Sequence, residues 1–175
     1  IMDQFAVAMG KKDSAILLNC DTHEYEYLPF HTNGYILAII NSNKQRSLAE
    51  SKYNERFAEC GAALKLLKKE IKAENLCDID LPTFQSNKNL ISDPVLEKRA
   101  LHVISENKRV NEAKDALEEG ELLTFGTLMY ASHESLKELY EVSGKELDTI
   151  VEFCKTYKGC IGARMTGAGF GGCAI

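Results

Sequence analysis

Only 3 prolines interrupt the 175-residue chain, and no apolar run reaches the roughly 18 residues that a membrane-spanning helix needs. A membrane span is therefore not expected. No sustained basic run occurs either, and 21 Lys+Arg against 26 Asp+Glu leave a net charge of −5. Such a balance argues against nucleic-acid binding, whose affinity comes from neutralising phosphates. Lys65, Lys68, Lys69 and Lys72 are interleaved with leucines at helical spacing and read as a solvated helix face. The six cysteines (Cys20, Cys60, Cys77, Cys154, Cys160 and Cys173) contain no Cys-x-x-Cys pair, and no histidine cluster completes a zinc site. They read as free thiols in a reducing, cytoplasmic compartment. His23, His31, His102 and His133 share no ligand spacing, no metal site is expected, and no Ser-His-Asp or Cys-His arrangement can be argued from order alone. There is no internal repeat, low-complexity tract or basic leader.

With 45% apolar and 27% charged residues, the composition is that of a globular protein. At about 100–200 residues per domain the chain holds one domain, at most one and a half. Its start, Ile1-Met2-Asp3-Gln4-Phe5, and its apolar end, Cys173-Ala174-Ile175, both read as the interior of something longer, so a fragment truncated at both ends is the expectation. The glycines are local: five of the 12 fall between Gly162 and Gly172.

Helical spacing over 3–9 stops at Gly10. Residues 15–20, 25–30 and 35–40 read as three strands of an antiparallel meander, the third apolar on both faces and hence buried. The period then changes. Tyr53, Phe57, Cys60, Leu64, Leu67 and Ile71 mark an amphipathic helix of about six turns. A short helix follows Asp80-Leu81-Pro82, and Asp93-Pro94 opens a long one that ends at Gly120. The stretch from Leu122 to about Tyr140 is helical with a break expected near Ser132-His133, and 145–157 is a further helix. Strand-like 161–165 and 173–175 flank the glycine loop. Strands and helices do not alternate, which predicts α+β: an antiparallel sheet covered by helices.

Three features could carry chemistry. In Thr166-Gly167-Ala168-Gly169-Phe170-Gly171-Gly172, four glycines in six positions permit positive φ and converging amides. That describes either an anion cradle or a tight turn between strands. It is neither a Walker A loop, since no Gly-Lys-Ser/Thr follows, nor a dinucleotide fingerprint. Asp3 at a helix start reads as an N-cap or, beside an acceptor hydroxyl and a cation, as a catalytic carboxylate. Tyr53 reads as core packing or, near its helix N-terminus, as a hydroxyl free to reach a ligand.

Five segments in order resemble the galactokinase family of the GHMP kinase superfamily. Ile1-Met2-Asp3-Gln4 with Ala8-Met9-Gly10-Lys11 resembles the segment carrying its catalytic aspartate. Residues 49–60, around Tyr53, resemble the helix whose tyrosine touches the sugar. His102-Val103-Ile104-Ser105-Glu106-Asn107 and the run from Phe125 to Leu136 resemble two of its helices, and 163–173 resembles the third GHMP motif.

The resemblance implies the C-terminal domain of a GHMP kinase over 13–175, preceded over 1–12 by the end of the N-terminal domain. The activity it implies is phosphorylation of galactose by Mg-ATP at the anomeric hydroxyl. Asp3 would be the catalytic residue, Tyr53 the sugar contact, and Gly167, Gly169, Phe170, Gly171 and Gly172 the turn bordering the site. A loop of amides with one carboxylate suits phosphoryl transfer, which relies on positioning and charge stabilisation. The family's aspartate-pairing arginine, its sugar-gripping acids, its ATP loop and its Mg²⁺ glutamate belong upstream of Ile1. Mg²⁺ and ATP would then be held mainly outside this chain, which alone should be inactive and, with an uncovered apolar face, should self-associate. Two positions depart from the pattern: in Asn41-Ser42-Asn43-Lys44-Gln45-Arg46 the lysine comes one place early, and Ala168 stands where many members have glycine. Kinases of N-acetylgalactosamine or another sugar, and a non-catalytic galactokinase-like sugar sensor, are the competing readings.

Overall fold

A computed structural model describes residues 2–44 and 49–175. It is α+β, with short antiparallel strand pairs and a larger body of helices. Helix α1 (Met2–Met9) leads into β1 (Ser14–Leu18) and β2 (Tyr25–Pro29), which pair antiparallel with Ile16 opposite Tyr27. The third apolar run does not extend this hairpin. Only β3 (Ile40–Asn41) pairs, and its partner is β4 (Cys173–Ala174) at the other end of the chain. The expected burial of 35–40 is also overturned: Ile36 is 87%, Leu37 57% and Ile39 72% exposed.

Helix α2 (Ala49–Leu67) is followed by α3 (Leu81–Asn87) and α4 (Pro94–Glu118). Both later helices start as their sequences dictate. Asp80 accepts the Thr83 amide at 2.7 Å and Asp93 accepts the Val95 amide at 2.8 Å, each with proline in the first turn. One apolar cluster joins these three helices through Ala63, Leu67, Phe84, Ala100 and Ile104. Fully burying a side chain such as Phe84 or Leu67 is worth about 1.5–3 kcal/mol.

Helix α5 (Leu122–Ser135) runs unbroken through Ser132-His133, where a break was expected. The irregularity comes directly afterwards, as a π-helical turn over Leu136–Tyr140. It ends at Glu141, a non-glycine residue in the left-handed region with φ 56° and ψ 50°. Helix α6 (Lys145–Thr156), the turn and β4 share a second apolar cluster that includes Leu136, Leu147, Val151, Ala163 and Met165. Gly126 of α5 lies directly on Gly162, so the helix and the 161–165 segment meet backbone to backbone. That segment pairs with the chain end through Arg164 and Ile175, which exchange backbone hydrogen bonds of 2.9 and 2.8 Å. No helix among the described residues is long and apolar enough to cross a membrane.

Candidate active site

The glycine-rich segment connects Met165, which bridges to Ala174, to β4. Gly167, Gly169, Phe170, Gly171 and Gly172 all have positive φ, of 76°, 82°, 56°, 128° and 86°. Three bonds fix the turn: the Thr166 amide donates to the Cys173 carbonyl at 2.9 Å, the Phe170 amide to the Val142 carbonyl at 2.8 Å and the Ser42 amide to the Gly172 carbonyl at 2.8 Å. Gly169 is required by space as well as by φ, because a Cβ there would lie 3.0 Å from the Val142 carbonyl carbon and closer still to its oxygen. Gly167 and Ala168, at the exposed tip, keep their amides without a hydrogen-bond partner among the described residues. The loop is therefore a tight turn whose base is packed and whose tip still offers free donors.

From below, His133 holds the segment that leads into this loop. Its Nδ1 accepts the Met165 amide at 3.2 Å, which puts the ring proton on Nε2, 3.2 Å from Asp148 Oδ1. The last two atoms are close but poorly aligned, so the contact is electrostatic more than a formed hydrogen bond. Burial pushes the His133 pKa down against the opposing pull of Asp148.

Tyr53, on the second turn of α2, is 60% exposed and so is not a core residue. Phe57, one turn on, is 72% exposed; the apolar stripe enters the core only from Cys60. Asp3 is exposed in the first turn of α1, inside the helix and not flanking it as a cap. Its helix rests on the hairpin, where Phe5 meets Tyr25 edge-on at 5.0 Å and the Tyr27 hydroxyl donates to the Met9 carbonyl at 2.8 Å. Among the described residues no cation pairs with Asp3, and no hydrogen bond joins Asp3, Tyr53 and the loop to one another. Lys44 pairs with Glu146 at 3.1 Å and its carbonyl lies against Gly171, while Gln45 and Arg46 fall outside the described residues.

Sequence reasoning passed over a buried charged cluster between α2, α4 and the π turn. Arg56 is 6% and Arg99 2% exposed, and both bind Glu59 Oε2, at 3.0 and 2.7 Å. Arg99 Nη2 also lies 2.7 Å from Glu141 Oε2. The signal was present: Arg56 and Glu59 are one turn apart beside the apolar stripe, and Arg99 sits directly before the core residue Ala100.

An apolar cavity of about 320 Å³ lies elsewhere, lined by Tyr35, Ile36, Leu37, Phe125 and Phe153 among others. It shares no lining residue with Asp3, Tyr53 or the glycine loop and has almost no polar groups with which to hold a sugar or phosphate. Among the described residues no group of three or more His, Cys, Asp or Glu could hold a metal ion.

Comparison with known proteins accounts for the whole chain. Residues 113–175 match the family described as GHMP kinases C terminal. Galactokinases of Clostridium tetani and Enterococcus faecalis are 57% and 55% identical over all 175 residues, which cover 45% of each relative. A crystal structure of Lactococcus lactis galactokinase complexed with galactose matches with a TM-score of 0.95 at 48% identity, over 99% of this chain and 45% of that one. The chain thus spans a little under half the length of these relatives, and its likeness to galactokinases of the GHMP kinase superfamily runs from end to end.

Proposed function

We propose that the chain is the C-terminal half of a galactokinase, and that the full-length protein transfers the γ-phosphoryl group of ATP to the anomeric hydroxyl of galactose. The observation that carries this reading is the whole-chain match to a galactose-complexed galactokinase, with a TM-score of 0.95 at 48% identity. Residues 1–12 would close the N-terminal domain and 13–175 would form the C-terminal one. The six free cysteines fit a cytoplasmic enzyme.

In this reading Asp3 faces the sugar's anomeric hydroxyl and accepts its proton or orients it. That oxygen attacks the γ-phosphorus, the bond to the bridging β–γ oxygen breaks, and ADP leaves. Tyr53, with its ring already in solvent, holds the sugar. The tip of the glycine turn lends backbone donors at the border of the site. The described residues do not fit a Mg²⁺ site, so the cation and most of the ATP contacts are assigned to the rest of the protein and no step here runs through them.

The test follows ADP release by the full-length protein with galactose, N-acetylgalactosamine and mevalonate as acceptors. Galactose-dependent release is expected, with Asp3→Asn lowering kcat at least 100-fold and Tyr53→Phe mainly raising the galactose KM. A preference for N-acetylgalactosamine would replace the substrate and keep the chemistry. Galactose binding without turnover would point to a sensor.

A further inference from the structure

We infer that Arg99 is a positioning residue, which through Glu59 and Glu141 locks the helix bearing Tyr53 to the turn that seats the glycine loop; this rests on the galactokinase reading. Arg99 belongs to α4 and makes no hydrogen bond to Tyr53 or to the glycine loop among the described residues. Its Nε binds Glu59 Oε2 on α2 at 2.7 Å, its Nη2 binds Glu141 Oε2 at 2.7 Å, and its Nη1 donates to the Leu139 carbonyl. Arg56, one turn beyond Tyr53 on α2, donates from Nε to the Tyr140 carbonyl at 2.6 Å and from Nη2 to the Glu141 carbonyl at 3.3 Å. Two guanidinium forks thus bind three successive carbonyls at the end of the π turn. These are the acceptors a helix end leaves without a partner, at the negative end of its dipole.

From that turn the path to the loop is one residue long. Val142, 4% exposed, follows Glu141, and its carbonyl receives the Phe170 amide and abuts Gly169. Glu141 is held in the left-handed region, which a residue with a Cβ adopts only at a cost and with an external hold. Apolar packing could join α2 to the turn equally well, but would not fix their rotation and sliding. A planar fork fixes both, because its donors satisfy several acceptors only in one orientation. Buried ion networks are poor sources of net stability, and their attested use is to specify one arrangement over its neighbours. The four side chains carry two positive and two negative charges, and Glu55, 3.1 Å from Arg56, and Lys98, 3.8 Å from Glu141, add one of each at the rim.

The experiment compares the full-length wild type with Arg99→Lys and Glu141→Gln. The first keeps the charge and loses the fork. The second removes the partially exposed end of the network and is the variant that decides if Arg99→Lys fails to fold. Ile104→Val and Leu67→Ala, in the apolar core of α2, α3 and α4, supply controls with a small and a large stability loss. At temperatures where all are folded, kcat with galactose should fall at least tenfold in Arg99→Lys and severalfold in Glu141→Gln, and stay within twofold in the controls. A double-mutant cycle of Arg99→Lys with Tyr53→Phe should be clearly non-additive, and the Phe170 amide should lose hydrogen-exchange protection in the network variants alone. Unchanged kcat and Phe170 protection in a folded network variant, or equal losses in the controls, would overturn the inference. If the wild type does not phosphorylate galactose, the functional reading fails, and the Phe170 exchange data alone decide whether the network holds the loop.

Discussion

His102 stacks on Tyr140 with ring centroids 4.4 Å apart, and its Nδ1 lies 2.8 Å from the Ser135 hydroxyl. Burial pushes its pKa down from 6.5 to about 4, only partly offset by the nearby Glu106 carboxylate. Between pH 6.5 and about 4 the unfolded chain therefore binds a proton that the folded chain refuses, and stability falls on acidification across that window. The full shift corresponds to a loss on the order of 3 kcal/mol. His133 acts with the same sign. Urea-unfolding midpoints measured from pH 7.5 to 5 should decline, and His102→Gln should flatten part of that decline. A parallel decline in the variant would mean that the ring is not the proton acceptor. Neither histidine's burial was legible in its spacing, because an imidazole on an apolar helix face looks the same whether it is solvated or packed under an aromatic ring.

At the scale of elements, two helical glycines separate local propensity from packing. Gly61 lies within α2 with open space where a Cβ would go, whereas a Cβ on Gly126 of α5 would lie 2.7 Å from the Ile161 carbonyl carbon. Gly61→Ala should stabilise the protein by about 0.5–1 kcal/mol, the helix-propensity difference. Gly126→Ala should destabilise it by about 1–3 kcal/mol, since overpacking outweighs the same propensity gain. Thermal melts of the two variants give the comparison, and equal shifts would show that α5 can move off the 161–165 segment at little cost. The sequence marked where α3 and α4 begin, because caps and prolines act within one turn. It misplaced the irregularity after α5 because a π turn is held from outside, by the forks of Arg56 and Arg99.

At the scale of the molecule, exposed apolar side chains form part of the surface: Ile36, Leu37 and Ile39 on the extended segment before β3, with Val7 on α1 and Phe57 on α2. Residues 1–175 in isolation should therefore self-associate. Sedimentation should give masses above 19.5 kDa, and Ile36→Asp with Ile39→Lys should shift them toward that value. A single species of 19.5 kDa that binds no hydrophobic dye would mean that the face is not adhesive.

The residues by themselves determined the α+β class, most helix starts and the position of the glycine turn, because periodicity, caps and the φ demands of glycine are local. They also carried the family likeness through Asp3, Tyr53 and 163–173. Only the tertiary structure decided that the third apolar run pairs with the chain end and not with its neighbour, that Tyr53 stands in solvent, and that Arg56 and Arg99 lie buried against the π turn. Those outcomes depend on which surfaces meet across 40 or more residues of chain, as when Arg99 reaches the Leu139 carbonyl and Arg56 the Tyr140 and Glu141 carbonyls. No local pattern encodes that meeting.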